Sequence, residues 1–563
     1  MDQIEIAFPK LNHFWLDSGL LGLIVLLREV DGNIEKSVND SGLTLRGLEN
    51  EIHDALKKAY DLLVKRYYNI STKKQKDDTS SYNFYYDSKE DKFIPFPKRK
   101  SVGIAELIFN KAPRPTGSSI KWERKEKREL KINGKTIKKN RGILPSSHAH
   151  LQKKMDEFLD CLGLDVTTTG LLVDGPNEIR PKVTMPEKFY GPAKGQCYLC
   201  GEDSFALEGI GQTIFPFITG SSGLLNFNTK CSKPEKVCWR CAFIGKFVPV
   251  NGFYLRQGDN LFVFFPYSVS LEKMLDVYTV VQEAKYEDPN LFKNFQHPLG
   301  FEKYADGYFQ KTFEVTFAFL YTLYRKALLQ LRAEDDVGVL DFEKMCNLTV
   351  SKAPLEFVIL HAESKGQTSM GKMVWPFRDS VYYFRLIENI EKSGINIREV
   401  MRLLIDFSQK NENRTLTRNR VCERILRKQS ILELIESHIF SIEISFVKPL
   451  SDFVYKYEPI IRKEESMTMD AQESAITLGK RIGMTVAENG KKGDLFALRK
   501  ARRKTDFLNE LNRLQFKCNL VVPPEIYEGK LTDSNFVEFK QFCMIAALNS
   551  FYAATQSNKG GKP

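Results

Sequence analysis

The chain has 563 residues, of which 42% are apolar and 27% charged, and this composition predicts a soluble, globular protein of two to four domains. Ten cysteines are too few for a disulfide scaffold, the start MDQIEIAFPK lacks the pattern of a secretory signal, and the longest apolar runs are too short to span a bilayer. We therefore expect a cytoplasmic protein without a membrane partner.

Positive charge is concentrated in three short windows. Lys and Arg number 83 against 71 Asp and Glu, which gives a net charge of +12. Residues 121–141, 414–428 and 491–504 carry net charges of +7, +5 and +6, so the rest of the chain has a net charge of −6. This segregation favours a polyanionic partner, and we expect at least one window to contact nucleic acid. Solvated faces or loops are the alternative.

The N-terminal part alternates helical, polar and extended segments. Its patterns predict a buried helix at 14–30, an amphipathic helix at 46–68 and a polar loop at 73–100. Further along, they predict a basic hairpin that turns at Asn133-Gly134, a hairpin at 253–267, helices at 270–285 and 312–332, and a buried strand at 355–361.

Beyond residue 376, strand signals become sparse and helical periodicity prevails. We therefore predict an α+β protein. A large mixed α/β N-terminal domain at 1–376 carries an inserted four-cysteine zinc module at 195–246, and an all-α helical bundle follows at 377–563.

Two Cys-x-x-Cys pairs, Cys197 with Cys200 and Cys238 with Cys241, are separated by 37 residues. Each such turn places two sulfurs on one side of a tight loop, and two turns complete a tetrahedral set that suits Zn²⁺. Four sulfurs fill the coordination shell, so we predict a structural metal. The alternatives are cysteines packed as small apolar residues and a redox motif, and Cys231 is an alternative ligand with a less compact spacing.

Signals of enzymatic activity are weak. GQTSMGK at 366–372 matches part of a phosphate-binding loop, but Met373 replaces the expected Ser or Thr, and Pro376 prevents the helix that should follow. His53 and Asp54 form a dipeptide used by metal-dependent phosphohydrolases, yet they lie within an amphipathic helix, and few histidines accompany them. We expect no enzymatic activity, and the alternative is a zinc-containing nucleic-acid hydrolase that uses this dipeptide.

The segments FWLDSGLLGL, CYLCGE, NFNTK and CWRCAF, followed by a basic helical C-terminus, resemble a known family. They are similar to the large subunits of type I-B CRISPR effector complexes, the Cascade assemblies, in the subfamily with two CXXC motifs. The double CXXC motif is the specific part of this resemblance, which extends over half of the chain in stretches and does not include residues 73–150.

The resemblance implies a subunit that is not itself a nuclease. Such subunits recognise the protospacer-adjacent motif on double-stranded target DNA, assist duplex opening, hold the displaced single strand and recruit a separate helicase-nuclease. They work among crRNA-containing subunits, and guide pairing supplies the sequence specificity. The resemblance also supports the four paired cysteines as metal ligands, and it implies that the C-terminal bundle is similar to the small subunits that line the strand groove.

Candidate nucleic-acid contacts follow from side-chain chemistry. For the motif we predict Asn226, Asn228 and Lys230, in the loop between the cysteine pairs, because Asn and Lys side chains reach base edges. For the displaced strand we predict basic clusters in the 491–504 window and on one helical face of the 414–428 window. These residues are Arg499, Lys500, Arg502, Arg503, Lys504, Arg420, Arg424 and Arg427.

Overall fold

The computed structural model describes residues 3–132, 135–211, 213–216, 236–278, 309–333, 355–365, 368–442, 447–462 and 467–560. The chain divides into two compact units. The first comprises Met1–Gln296 and Met345–Arg378, and the second comprises His297–Lys344 and Asp379–Pro563. The predicted fold class is confirmed, since a mixed α/β part carries a four-cysteine cluster and a helical C-terminal region follows.

The strands of the described residues all lie in the first unit. Their bounds are β1 Ile4–Pro9, β2 Glu35–Asn39, β3 Gly42–Gly47, β4 Asn83–Asp87, β5 Lys92–Phe96, β6 Arg114–Pro115, β7 Ser118–Lys121, β8 Arg124–Ile132, β9 Lys135–Ile143, β10 Gly170–Val173, β11 Asn177–Glu178, β12 Gly195–Gln196, β13 Asp203–Ser204, β14 Leu207–Gly209, β15 Lys236–Cys238, β16 Phe253–Gln257, β17 Asn260–Tyr267, β18 Glu356–Lys365 and β19 Thr368–Phe377. The helices described in this unit are α1 Phe14–Arg28, α2 Glu49–Leu63, α3 Lys73–Asp77, α4 Ile104–Ile108, α5 Gln152–Leu162, α6 Trp239–Ile244 and α7 Leu271–Val277.

Three sheets carry most of the strand pairing. Their strand orders are β1-β3-β2, β5-β4-β10-β7 and β16-β17-β18-β19. The third sheet confirms the predicted hairpin at 253–267, because β16 and β17 pair antiparallel from Phe253 with Phe264 to Gln257 with Asn260. It also confirms the buried strand predicted at 355–361, which is β18. The next strand, β19, includes residues 369–372, so the SMGK part of the rejected phosphate-binding motif is extended.

Helix α1 lies at the centre of the first unit's core. It is buried from Trp15 through Leu27, as expected for a helix whose sequence is apolar on nearly every side. Gly19 and Gly22 let the helix approach the segment that follows the second cysteine pair. A Cβ on Gly19 would lie 2.2 Å from the carbonyl oxygen of Ile244, and a Cβ on Gly22 would lie 2.4 Å from that of Phe247. This close contact joins the cysteine module to the core.

The prediction of a polar loop at 73–100 is wrong. This stretch contains α3, β4 and β5, and Phe84 and Phe93 are buried in a second core with Met155 of α5. Charged and polar residues between the two strands form their turn and obscure the short apolar pattern in the sequence. The amphipathic helix predicted at 46–68 is confirmed as α2, which continues into a π-helical turn at Val64–Tyr68.

The basic hairpin is also confirmed. Strands β8 and β9 pair antiparallel from Arg124 with Ile143 to Ile132 with Lys135. The predicted turn residues, Asn133 and Gly134, lie outside the described residues. The helix predicted at 270–285 is described only as far as its first turns, which form α7.

The described residues of the second unit form helices joined by turns and loops, and none of them lies in a strand. Its helices are α8 Thr312–Ala333, α9 Ser380–Lys392, α10 Ile397–Leu403, α11 Leu416–Leu426, α12 Leu432–Ser441, α13 Lys448–Ile461, α14 Met469–Asn489, α15 Lys492–Lys500, α16 Lys504–Cys518 and α17 Phe536–Gly560. Helices α14 and α17 pack closely because Gly479 and Gly483 leave room for the backbone oxygens of Cys543 and Ala547. Among the described helices of both units, none has the length and hydropathy needed to cross a membrane.

Helix α8 belongs to the second unit, whereas the sequence-based division placed it in the first domain. A buried polar network ties it to α11. The Nε of Arg418 donates to Glu314 at 2.7 Å, and the hydroxyl of Thr415 donates to the same carboxylate at 2.9 Å. Glu314 and Arg418 are 0% and 1% exposed. Because a buried charge requires a close partner, this pair positions the start of α8 on the bundle.

Candidate metal centre and basic surfaces

The first cysteine pair lies in a tight turn between two short strands. Strands β12 and β13 pair antiparallel, and Cys197 and Cys200 lie in the chain between them. The Cys197 N–H donates to the carbonyl of Glu202 at 2.8 Å, and the Gly201 N–H donates to the carbonyl of Cys197 at 2.9 Å. Gly201 has a φ of +74°, where a side chain would be strained. Glycine directly after the pair therefore allows the turn to close.

The second cysteine pair lies where a strand becomes a helix. Cys238 ends β15, which pairs with β14, and it is also the N-cap residue of α6. Its sulfur accepts from the Cys241 N–H at 3.5 Å. The first N–H groups of a helix lack partners within the helix, so the cap both starts α6 and holds the two sulfurs close together.

Backbone hydrogen bonds bring the two turns together. The Tyr198 N–H donates to the carbonyl of Lys236 at 3.1 Å, and the Cys238 N–H donates to the sulfur of Cys197 at 3.2 Å. These contacts join residues that are about 40 positions apart in the chain, so the cluster depends on the tertiary fold of the module.

The four sulfurs form a compact group. All lie within 4.8 Å of one another, and the sulfurs of Cys200 and Cys238 are 3.8 Å apart. A tetrahedral zinc site with Zn–S bonds of about 2.3 Å has sulfurs about 3.8 Å apart, so the observed spacing fits such a site. Among the described residues, this is the single group of three or more His, Cys, Asp or Glu side chains that could hold a metal ion.

The electrostatics of the cluster favour a bound cation. Hydrogen bonding from the thiol of Cys200 lowers the pKa of Cys197, whereas hydrogen bonding with Cys197 raises the pKa of Cys241. Thiolates at these separations repel one another, so all four can ionise together only around a cation. Arg240, between the two cysteines of the second pair, donates to the carboxylate of Glu202 and, at 2.7 Å, to the carbonyl of Ala7.

The cluster is closed to solvent on most sides. Cys197, Cys238 and Cys241 are 2%, 0% and 2% exposed and belong to the same core as α1, and Cys200 is half-buried. Four sulfurs would fill the shell of a tetrahedral metal ion, and three of the four cysteines are buried. The arrangement is therefore suited to a structural metal.

The predicted motif-reading residues Asn226, Asn228 and Lys230, and the alternative ligand Cys231, lie outside the described residues. The four paired cysteines by themselves form a complete set of four sulfurs, so Cys231 is not needed as a ligand.

The cations at the junction of α15 and α16 are mostly free of carboxylates. Lys500, Arg502 and Arg503 are exposed and Lys504 is half-buried, and none of the four pairs with a carboxylate among the described residues. Helices α15 and α16 meet here through residues 501–503, so the four side chains project from one short stretch. We call Lys500, Arg502, Arg503 and Lys504 the junction cluster.

Arg499, which the sequence grouped with these four residues, has a different environment. Its Nε and Nη2 atoms donate to the two carboxylate oxygens of Glu436 at 2.7 and 3.2 Å, and its guanidinium lies 4.9 Å from the ring centre of Phe440. Glu436 is 6% exposed. The charge of Arg499 is therefore balanced within the bundle, and the residue stabilises the packing of α15 on α12.

The three arginines predicted on one helical face are also unequal. Arg420 is exposed and has no carboxylate partner in the described part of the chain. Arg424 lies within 3.4 Å of the carbonyl of Ser430, and Arg427, just beyond the end of α11, pairs with Glu423 at 3.1 Å. Of this set, Arg420 is the residue whose positive charge is least satisfied.

The β8–β9 hairpin provides basic residues that the sequence reasoning did not name as a site. One face is anchored to α5, because Arg128 donates to Asp160 and Arg141 donates to Asp156. On the other face Lys125 and Lys127 are exposed and lack carboxylate partners among the described residues. The alternation in the sequence predicted a hairpin that is largely basic on one face, but it assigned none of these lysines to a site.

His53 and Asp54 lie on α2, and neither belongs to a potential metal-binding group in the described residues. The ring of His53 lies 6.0 Å from that of Phe189. Among the described residues, His53 and Asp54 thus have no neighbouring side chains that would complete the metal site of a hydrolase.

Comparison with known protein families and with curated protein sequences finds no match to this chain.

Proposed function

We propose that this protein is the large subunit of an RNA-guided CRISPR surveillance complex of type I-B. In this role it binds target DNA, recognises the protospacer-adjacent motif, assists duplex opening, holds the displaced strand and recruits the helicase-nuclease. The support from the sequence is the resemblance through the double CXXC motif. The mixed α/β part with its cysteine cluster and the helical C-terminal part agree with the architecture that this resemblance implies.

The observation that carries the proposal is the junction cluster. The junction cluster places four cations within five consecutive positions, whereas Arg513 and Lys517 of the same unit pair with Asp494. The four cations of the junction cluster have no such partner among the described residues. Positive charge that the fold leaves unbalanced is available for phosphate groups, whose neutralisation releases counterions and drives nucleic-acid binding.

The proposal includes one structural Zn²⁺ held by Cys197, Cys200, Cys238 and Cys241. Zinc is favoured because four thiolates in tetrahedral geometry are its preferred structural set. Bound zinc would supply the positive charge that lets these thiols ionise together. The chain's own contribution is the two turns, which hold the sulfurs in position and join them to the core around α1.

The remaining contacts are assigned by charge and chemistry. The junction cluster and Arg420 hold the displaced strand, and the lysine face of the β8–β9 hairpin adds sequence-independent phosphate contacts. Asn226, Asn228 and Lys230 remain our candidates for reading the protospacer-adjacent motif. The cutting step belongs to the recruited helicase-nuclease.

The salt dependence of DNA binding tests whether the junction cluster contacts phosphate groups. We expect a variant with all four residues of the junction cluster changed to Gln to bind single-stranded DNA more weakly. The slope of log K against log salt concentration should decrease in magnitude by up to about 2.8, because each phosphate contact on a single strand contributes about 0.7. Fluorescence anisotropy with a labelled oligonucleotide at several salt concentrations measures both quantities.

The matched control is a variant that removes four positive charges outside the junction cluster. Arg46, Lys92, Lys154 and Lys392 are exposed cations that each pair with a carboxylate. Changing these four to Gln lowers the net charge equally, and we expect the slope to stay near the wild-type value. An equal decrease in both variants would mean that overall charge, rather than the junction cluster, governs binding and would contradict the assignment.

Reconstitution tests the RNA-guided part of the proposal. The full-length chain, mixed with crRNA-containing Cascade subunits, should co-elute with them and permit opening of a DNA duplex that matches the guide. Permanganate reactivity of unpaired thymines in the displaced strand measures opening. Failure to co-elute, or opening that is equally efficient without this chain, would refute the proposed role.

A further inference from the structure

A cleft lies beside the cysteine module in the first unit. Its volume is about 530 Å³, within the range of roughly 300–1,000 Å³ typical of small-ligand sites. Residues of the segment 184–194 and residues in and around β14 and β15 line it. Three aromatic and three basic residues among its lining define its chemistry, and these are Tyr190, Phe205, Trp239, Lys188, Lys194 and Lys236.

The aromatic side chains offer a surface for stacking. Tyr190 is 60% exposed, which leaves much of its ring accessible from the cleft. Trp239 is held in place, since its ring lies 5.1 Å from that of Phe189 and its backbone N–H donates to the carbonyl of Ala206 at 3.1 Å. A planar ligand can therefore stack on the exposed ring of Tyr190.

The charges of the cleft favour an anionic ligand. Lys188, Lys194 and Lys236 are exposed, and none forms an ion pair among the described residues. Two carboxylates also line the cleft. Glu208 is half-buried and interacts electrostatically with the buried Lys246, and Glu187, next to Lys188 in the chain, is exposed.

We propose that this cleft binds one unstacked nucleotide of a single-stranded nucleic acid, with the base on Tyr190 and adjacent phosphates near Lys188, Lys194 and Lys236. The combination of an aromatic platform with unpaired cations is what sequence-tolerant recognition of single strands requires. The inference rests on the proposed function in that it takes nucleic acid as the ligand. The phosphate contacts in the proposed function involve no base stacking. The inference adds a base-stacking site in the first unit, next to the candidate metal centre.

The cleft is built on the same strands as the metal centre. Leu207 of β14 pairs with the ligand Cys238, and Lys236 lies two residues before it on β15. The wall of the cleft is thus positioned by the module, and the base-stacking site should be lost when the metal is removed.

Fluorescence of 2-aminopurine tests the proposal with the full-length protein. The probe is a short oligo-dT with a single 2-aminopurine, whose emission changes when the base stacks on an aromatic ring. We expect Tyr190→Ala to weaken binding about 5- to 150-fold, the range reported for one base–aromatic stack, and to abolish the emission change. Tyr190→Phe keeps the ring and should retain both. Lys194→Gln should lower the magnitude of the salt slope by about 0.7.

The control is Tyr527→Ala, which removes another exposed tyrosine that lies in the second unit. It should leave the 2-aminopurine signal unchanged, and equal melting temperatures of all variants establish that they are folded. Wild-type affinity and emission in Tyr190→Ala would overturn this inference while leaving the proposed function intact. Absence of any DNA binding by the wild-type protein at low salt would instead defeat the proposed function. Displacement of the oligonucleotide by an equal concentration of free thymidine monophosphate would identify a mononucleotide site and overturn the single-strand assignment.

Discussion

The metal centre gives a sharp test of how the first unit is stabilised. Cys238 is the candidate ligand with the most structural roles, because it ends β15, caps α6 and donates its N–H to the sulfur of Cys197. Cys238→Ser would remove one of the four proposed ligands, and we expect it to weaken binding of the proposed zinc. Structural zinc sites contribute on the order of 10–16 kcal/mol to folding at neutral pH, whereas entire domains are stable by about 5–15 kcal/mol.

The two magnitudes are comparable, so we expect loss of the metal to unfold the first unit cooperatively. A purely local loss of structure is not expected, because three of the cysteines lie in the core that surrounds α1. Calorimetry should show that the melting transition of this unit is lost in Cys238→Ser, or in wild-type protein treated with a strong chelator. Elemental analysis should show one zinc per wild-type chain and much less in the variant.

The matched control is Cys161→Ser, since Cys161 is exposed and lies outside the cluster. It should retain full zinc content and the wild-type melting temperature. Negligible metal in wild-type protein purified under reducing conditions, together with the same melting temperature with and without chelator, would refute a structural role for metal in the first unit.

Two further predictions concern packing and pH. Gly19→Ala should destabilise the first unit by about 1–3 kcal/mol in chemical denaturation, because the added Cβ would lie 2.2 Å from the Ile244 oxygen and this clash outweighs alanine's better helix propensity. Gly32→Ala is the control, since its added Cβ has no neighbour within 4 Å and should change stability little. Equal effects of the two substitutions would contradict the close contact at Gly19. Burial raises the pKa of Glu458 to about 7 from 4.5, so the folded state binds its proton more tightly than the unfolded state. The stability of wild type relative to Glu458→Gln should therefore fall by about 3 kcal/mol as the pH rises from about 4.5 to 7, and a difference that does not vary with pH would rule out this linkage.

Several elements were predictable because their signals are local. The apolar run of α1, the alternation around the β8–β9 turn and the helical periodicity beyond residue 376 each lie within one segment of chain. The stretch 73–100 was misjudged because its strands are short and their burial depends on α5, which lies more than 50 residues further along. The placement of α8 likewise depended on Arg418, a partner about 100 residues away.

The sequence by itself determined the four metal-ligand candidates, since a Cys-x-x-Cys turn places two sulfurs on one side of the backbone in almost any fold. It also located the basic windows, because charge is a property of composition. Only the tertiary structure decided which of those charges are available. Arg499 and Arg502 are three positions apart, yet one is held by Glu436, 63 residues away, and the other has no carboxylate partner among the described residues. The physical reason is that ion pairing depends on the distance between two side chains in space. The fold sets this distance, and the neighbouring residues in the sequence do not determine it.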